Sequence, residues 1–346
     1  MARATIRDVA RDAGVSSATV SYVVNGKVSE TISTETINKV MQSVRKLGYI
    51  PNQAAKTLGS PRAGGKLRSN MIGVLIPQTE PGKEFMFSNP FYGDFLSAVE
   101  YKARENGYHL LISGTEVDQS YTEIAKSRSL DGIIILGMFP STDLKEYRRM
   151  QIPTVLVDCY DTGHYFHSVG INDRHGGYMA TQYMLELGHK RIAFVSGAVS
   201  EAGVNQMRQQ GYKDALKEAE IAFDEALVYY GEVGYPHGIT AAEAIVRSGQ
   251  GITAVFATAD IIALGLLKGF QKAGVDVPGE MSLIGFDDIF LSRICHPALT
   301  TVHQDIAEKG RVAAEIVICA AHDPIMTKRD VTIPLSIAQR DSTRRI

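Results

Sequence analysis

Residues 14–25, GVSSATVSYVVN, set the small hydroxyl side chains Ser16, Ser17 and Thr19 against valines at 20, 23 and 24. Such hydroxyls donate to and accept from phosphate oxygens and base edges. The stretch reads either as a polar turn into a valine-packed helix or as a surface that enters a DNA groove. A second set of chemistry-bearing residues closes short apolar runs further on: Asp158 in PTVLVD, Ser196-Gly197 in RIAFVSG, Thr258-Ala259-Asp260 in TAVFATAD, and Asp287-Asp288 in MSLIGFDD. In open parallel sheets, ligands bind beyond the carboxyl ends of strands, where these residues fall. Enzyme motifs are missing. AGGKL at 63–67 lacks the spacing and hydroxyl of a phosphate-binding loop, and no G-x-S-x-G, H-E-x-x-H or C-x-x-C occurs. His164 and His167, three apart in DTGHYFHS, read as loop surface residues rather than metal ligands, and Cys159 and Cys295 have no partner that would activate a thiol. The expectation is a binding protein with no catalytic residue, metal or cofactor.

The 346 residues are enough for roughly two to three domains. A hydrophobic share of 45% and a charged share of 21% are those of an ordinary globular chain. No run of 18 apolar residues occurs, so no membrane span is expected, and MARATIRDVARDAG lacks the apolar core of a signal peptide. Three widely spaced cysteines, an odd number, point to a reducing compartment and hence the cytoplasm. The net charge of −2 hides an asymmetry: residues 1–68 hold 11 Lys/Arg against 4 Asp/Glu, while the remainder is acidic. A small basic head on an acidic body suits contact with a polyanion; a solvated basic face is the plainer alternative.

The elements that must position these residues follow from periodicity. Thr5 can cap a helix over 6–13 that Gly14 ends; Ser16 can cap the next, with Asn25-Gly26 closing it. Ser33 caps a third, in which Ile37, Val40, Met41, Val44 and Leu47 form one stripe before Gly48. Helix, glycine-containing turn, helix is the spacing of a helix-turn-helix. Pro51 then breaks the chain, Asn52 can cap a short helix through Leu58, and the Gly-, Pro- and Arg/Lys-rich residues 59–70 read as a linker. From residue 71, continuous apolar runs alternate with amphipathic stretches, the pattern of parallel sheets covered on both faces. There are too many runs for one sheet; two similar lobes, near 71–160 and 170–295, account for them.

The segments ATIRDVARDAGVSSATVSYVVNG, RKLGYIPNQAAKTL, VGINDRHGGYMATQYMLELGHKRIAFVSG, DVPGEMSLIGFDD, HPALTTVHQD and SIAQRDST resemble the LacI/GalR family of transcriptional repressors across essentially the whole chain. The resemblance implies a small all-α helix-turn-helix head (1–50) with a hinge helix (51–58). After the linker comes a two-lobed α/β periplasmic-binding-protein-like body (71–346) with parallel sheets, whose C-terminal segment crosses between the lobes. It implies that Thr5 caps the first helix near a phosphate and that the second helix reads DNA. There Ser17 and Ala18 lie in the exposed first turn, Tyr22 reaches bases, Ser16 and Thr19 bond phosphates, and Asn25 meets backbone. Asn52, Gln53, Ala54, Ala55 and Leu58 would form a hinge helix that folds on the operator, Leu58 wedging between central base pairs. Tyr22 departs from the Arg or His of many members and cannot fork onto guanine as Arg does.

In the body the resemblance assigns effector contacts to Phe91, Asp158, Arg208, Asp287 and Gln304. One Arg and two Asp facing a cleft suit a polyhydroxylated ligand; the plainer reading of Arg208–Asp287 is a salt bridge that closes the two lobes, and Asp288 is open to a structural role. Ala259 and Val233 replace polar and aromatic residues frequent in sugar-binding members. QTEPGKEFMFSNPFY is longer than usual, as are the loop before the third helix and the linker. Ala202 and Val204 stand where purine-binding members carry Arg and Thr, which disfavours a purine. The expected protein is a homodimeric repressor of carbohydrate-metabolism genes, bound to a near-palindromic operator and controlled by a sugar-like effector. The absence of a leucine-heptad tail after SIAQRDSTRRI favours a dimer over a tetramer built that way. The rival reading is a sugar-sensing binding protein whose head no longer binds DNA.

Overall fold

A computed structural model describes residues 4–24, 32–49, 68–77, 86–115, 128–137, 141–160, 165–198, 203–323 and 325–346. The chain divides into two compact units, Met1–Ser69 and Asn70–Ile346. Asn25, the 51–58 segment with Asn52, Gln53, Ala54, Ala55 and Leu58, linker residues 59–67, His164 and Ala202 lie outside the described residues.

Among the described residues of the head, three helices follow from local chemistry. Helix α1 (Ile6–Ala13) starts on a capping box: the Thr5 hydroxyl accepts from Asp8 N at 3.4 Å, and Thr5 N donates to the Asp8 carboxylate at 2.9 Å. Gly14, at φ 67°, ends it in the left-handed conformation. Ser16 Oγ accepts from Thr19 N at 3.1 Å and starts α2 (Ser17–Val24); Ser33 Oγ accepts from Thr36 N at 3.3 Å and starts α3 (Thr34–Leu47). Val9, Ala10, Val20, Val23 and Val40 meet in a small core, and Lys46 of α3 reaches Asp12 of α1 at 2.7 Å. Met41 leaves the expected stripe and is exposed, while Ser43 is buried. The stripe is narrow because three short helices enclose little space.

The body contains β1 (Met71–Pro77), α4 (Pro90–Glu105), β2 (His109–Thr115), β3 (Gly132–Leu136), α5 (Ser141–Met150), β4 (Thr154–Val157) and β5 (His167–Gly170). It continues with α6 (Asp173–Glu186), β6 (Ile192–Gly197), α7 (Val204–Glu218), β7 (Val228–Gly231), α8 (Tyr235–Ser248), β8 (Ala254–Ala257), α9 (Asp260–Ala273) and β9 (Ser282–Asp287). The last elements are α10 (Phe290–Ile294), β10 (Thr300–Gln304), α11 (Ile306–His322), β11 (Asp330–Thr332) and β12 (Leu335–Ala338). Among the described residues, two six-stranded sheets result, ordered β11-β5-β4-β3-β1-β2 and β12-β10-β9-β8-β6-β7. Every pairing among these strands is parallel except that of β10 with β12. The central strands GIIIL, TVLV and AVFA are buried along their whole length, as strands covered on both faces must be.

The sheets are two versions of one plan, joined where β5 leads into α6, β10 into α11, and β11 into β12. Helix α11 returns from the second sheet to pack on α4 and on β3, β4 and β5 of the first. Backbone contact at glycine fixes how α6 meets α7. A Cβ at Gly177 would lie 2.0 Å from the Arg208 carbonyl oxygen, and one at Gly211 would lie 1.9 Å from that of Arg174. No larger residue permits this approach, which sets residues 208–211 of α7 against residues 174–178 of α6.

Candidate DNA-contacting face and inter-lobe site

Helix α2 has two sides. Val20 and Val23 are buried, whereas Ser17 and Ala18 are exposed and Tyr22 is 51% exposed. Thr19 is half-buried, and its hydroxyl lies 2.9 Å from that of Ser16. Thr5 spends its hydroxyl on Asp8 at 2.7 Å. That bond is the main reason the Asp8 carboxyl is held below its ordinary range. The face therefore offers one large side chain, the Tyr22 phenol, among small polar ones, with the Arg7 and Arg11 side chains exposed on α1.

In the body, a continuous chain of polar groups runs between the lobes. Asp158, just past β4, accepts from Lys309 Nζ at 2.7 and 2.8 Å. Lys309 also donates to Gln304 Oε1 at 2.5 Å, and Gln304 Nε2 donates to Asp287 at 2.7 Å. Asp287 lies 3.9 Å from the Arg208 guanidinium. Arg208 Nε donates to Asp173 at 2.8 Å, its terminal nitrogen donates to the Thr258 carbonyl at 2.5 Å, and its plane sits 3.6 Å over the Phe286 ring. Asp173 in turn accepts from the Tyr160 hydroxyl at 2.7 Å. Phe91, in the first turn of α4, is buried with its ring 5.6 Å from Lys309 Nζ.

Asp158, Arg208, Asp287 and Gln304 thus converge, with Phe91 beside them. Arg208 and Asp287 belong to the same lobe, so their pairing does not close the two lobes as the plainer reading of the sequence had it. The lobes are tied by Tyr160 to Asp173 and by Lys309 to Gln304. Asp158 and Asp287 occupy equivalent places in the two sheets, and both have positive φ, 52° and 116°. Such backbone is uncommon for aspartate and concentrates at ligand sites.

Burial dominates the electrostatics. It pushes the Asp287 carboxyl up to about 6, against the opposing pull of Arg208. Asp260, buried behind β9 where Gly285 leaves room for its carboxylate, is pushed up to about 8 by burial and then by the Asp287 charge. Burial likewise raises Asp173. For Arg208, burial works against the cation, but Asp173 and Asp287 outweigh it and hold the guanidinium charged. Asp288 faces elsewhere. It pairs with Arg340 at 2.5 Å, His303 at 2.9 Å and Arg293 at 3.2 Å, a structural knot that anchors the C-terminal segment. His167 Nδ1 accepts the backbone N–H of Arg329 at 3.0 Å.

Thr258 is one of the strand-end residues that the sequence marks, whereas Lys309, Asp173 and Tyr160 carry no such mark. Lys309 sits in the charged run AEKGR, yet Ile306, Lys309, Gly310, Ala313 and Val317 share one helical face and are all buried. That periodicity was the available signal. A separate concavity of about 610 Å3 lies on the second lobe, lined by Ile261, Leu264, Leu291, Ile294 and Cys295 among others. It shares no residue with the polar chain.

Residues 5–52 match the family model of bacterial regulatory proteins, lacI family, and residues 181–343 match that of the periplasmic binding protein-like domain. The chain is 32% identical over 345 residues to catabolite control protein A of Priestia megaterium, covering 98% of this chain and 99% of that protein. It is 33% identical over 347 residues to the HTH-type transcriptional repressor PurR of Vibrio atlanticus (strain LGP32), covering 99% of each. Among solved structures, the complex of the transcriptional regulator CelR with cellobiose aligns with a TM-score of 0.72 at 25% identity, over 98% of this chain and 100% of that one. Among the described residues, no helix is long and apolar enough to cross a membrane. A likeness that runs through head and body alike, over nearly the full length of these regulators, places the chain in the LacI family of bacterial transcriptional regulators, which are not enzymes.

Proposed function

We propose that this protein is a cytoplasmic, homodimeric repressor of carbohydrate-metabolism genes, and that a sugar-like effector between its body lobes sets its affinity for a near-palindromic operator. The observation that carries this reading is the inter-lobe polar chain. It alternates donors and acceptors at the carboxyl ends of strands in both sheets, which is what a polyol's hydroxyls require. The similar structure of CelR holds cellobiose. In this reading Arg208, Asp287, Asp158, Gln304 and Phe91 line the site. Binding there changes the lobe geometry, and with it whether the two hinge segments, residues 52–58 with Leu58 as the wedge, can fold together on DNA.

Ser17, Ala18 and Tyr22 face the major groove, Thr5, Ser16, Thr19 and Asn25 the backbone. A second copy would cover the aliphatic concavity of the second lobe, beside which Phe290 and Ile294 are more than 60% exposed. Selection from random duplexes tests the whole reading. A two-fold site should be enriched and released or retained by one member of a sugar panel. Enrichment of nothing would reduce the head to a vestige. Tyr22→Ala should alter base preference more than nonspecific affinity; a uniform loss would make Tyr22 a backbone contact.

A further inference from the structure

Lys309 is completely buried, a rare state for lysine. An ammonium has three N–H donors, and here three oxygens take them: both of Asp158 and Oε1 of Gln304. Arg208 gives one N–H to Asp173 and one to the Thr258 carbonyl, and it stacks on the Phe286 face. Lys309 therefore has no N–H left for a ligand, and the charge of Arg208 is already shared between Asp173 and Asp287. Three carboxylates, Asp158, Asp173 and Asp287, stand against these two cations. Lys309 also orients Gln304: with its oxygen on the ammonium, the amide must turn its NH2 toward Asp287.

We propose that Lys309 is a specificity-determining residue of the inter-lobe site, which neutralises Asp158 and orients Gln304 so that the site takes an uncharged polyol and rejects its phosphorylated or acidic counterpart. The inference rests on the effector reading above and deepens it. Ionised, the five charged groups sum to one negative charge. A phosphate would add to that excess in a buried setting, where Lys309 has no N–H to give and the Arg208 charge already faces two carboxylates. A neutral polyol meets carboxylate oxygens as acceptors without adding charge.

The test is calorimetric titration of the full-length protein with glucose, ribose and cellobiose, and with glucose 6-phosphate, ribose 5-phosphate and inorganic phosphate. A neutral sugar should bind at least a hundredfold more tightly than its phosphate. A phosphate that binds as well or better overturns this inference and leaves a sugar-responsive repressor standing; binding by no member overturns both. Asp158→Asn removes one negative charge and frees an N–H of Lys309. It should shift the phosphate-to-neutral ratio at least tenfold toward phosphate. Adding Lys309→Met to Asp158→Asn should abolish that gain, while the thermal midpoint stays closer to wild type than in Lys309→Met alone. A ratio unmoved by Asp158→Asn, in a folded protein, would make Lys309 a structural residue only.

Discussion

Replacing Arg208 with methionine keeps much of the side-chain volume and removes the charge. In the native body Arg208 is 6% exposed, and its guanidinium pairs with two buried carboxylates, Asp173 at 2.8 Å and Asp287 at 3.9 Å. Its removal leaves both without that neutralisation and leaves the Thr258 carbonyl short of a donor. Breaking a buried pair in this way costs about 3–5 kcal/mol, most of it the penalty on the charges left behind. At roughly 2–4 °C per kcal/mol for large domains, the body's midpoint should fall by about 6–20 °C. The chain has no tryptophan, so far-UV circular dichroism is the practical probe. The loss should shrink at acid pH, because Asp287 already titrates near 6 and loses there the charge that needs Arg208. Asp173→Asn in the Arg208→Met background should recover part of the stability. A loss under about 1 kcal/mol at pH 8, or no coupling between the two sites, would refute a structural guanidinium and leave Arg208 as a ligand contact alone.

Three further outcomes follow from the same geometry. Asp287 carries a folded pKa above its ordinary value, so the native state holds the extra proton and stability falls as pH rises from about 4 to about 6. Relative to Asp287→Asn, the wild type should lose roughly 3 kcal/mol over that window, and a flat difference in urea midpoints would refute the assignment. Two helical glycines should respond with opposite sign. Gly177→Ala meets the Arg208 backbone and should prevent normal packing of α6 on α7, whereas Gly93→Ala meets open space on the solvent-facing side of α4 and should stabilise by about 0.5–1 kcal/mol in thermal melts. Ser33→Ala removes the cap of α3 and should cost the head about 1 kcal/mol in urea unfolding, with operator base preference unchanged; a shift in preference would place Ser33 at the DNA.

The strands legible beforehand were those written as unbroken apolar runs, such as MIGVLIP and GIIIL. The strand TTVHQ escaped because it is polar. It is nonetheless almost wholly buried, since Thr301 gives its hydroxyl to Asp260 at 2.6 Å and Thr300 N donates to Ser342 at 2.8 Å. A polar residue can be buried when its partners are remote in the chain, and those partners lie about forty residues away. The third helix misled in the other direction, because Met41 is apolar and at helical spacing yet faces solvent.

By itself, the sequence determined the caps at Thr5, Ser16 and Ser33, the two-sidedness of α2, the alternation of strand and helix, and the strand-end carboxylates. Each depends on residues within a turn or a strand of one another, so local chemistry settles it. Tertiary structure alone decided that Arg208 answers to Asp173, that Lys309 bridges Asp158 and Gln304, and that the lobes are tied by Tyr160 and Lys309. Asp158 and Lys309 stand 151 residues apart, and Arg208 and Asp173 stand 35 apart. Their pairing is set by how α11 returns to the first lobe and how two glycines let α6 and α7 touch, and the low polarity of that interior makes each unpaired charge too costly to leave.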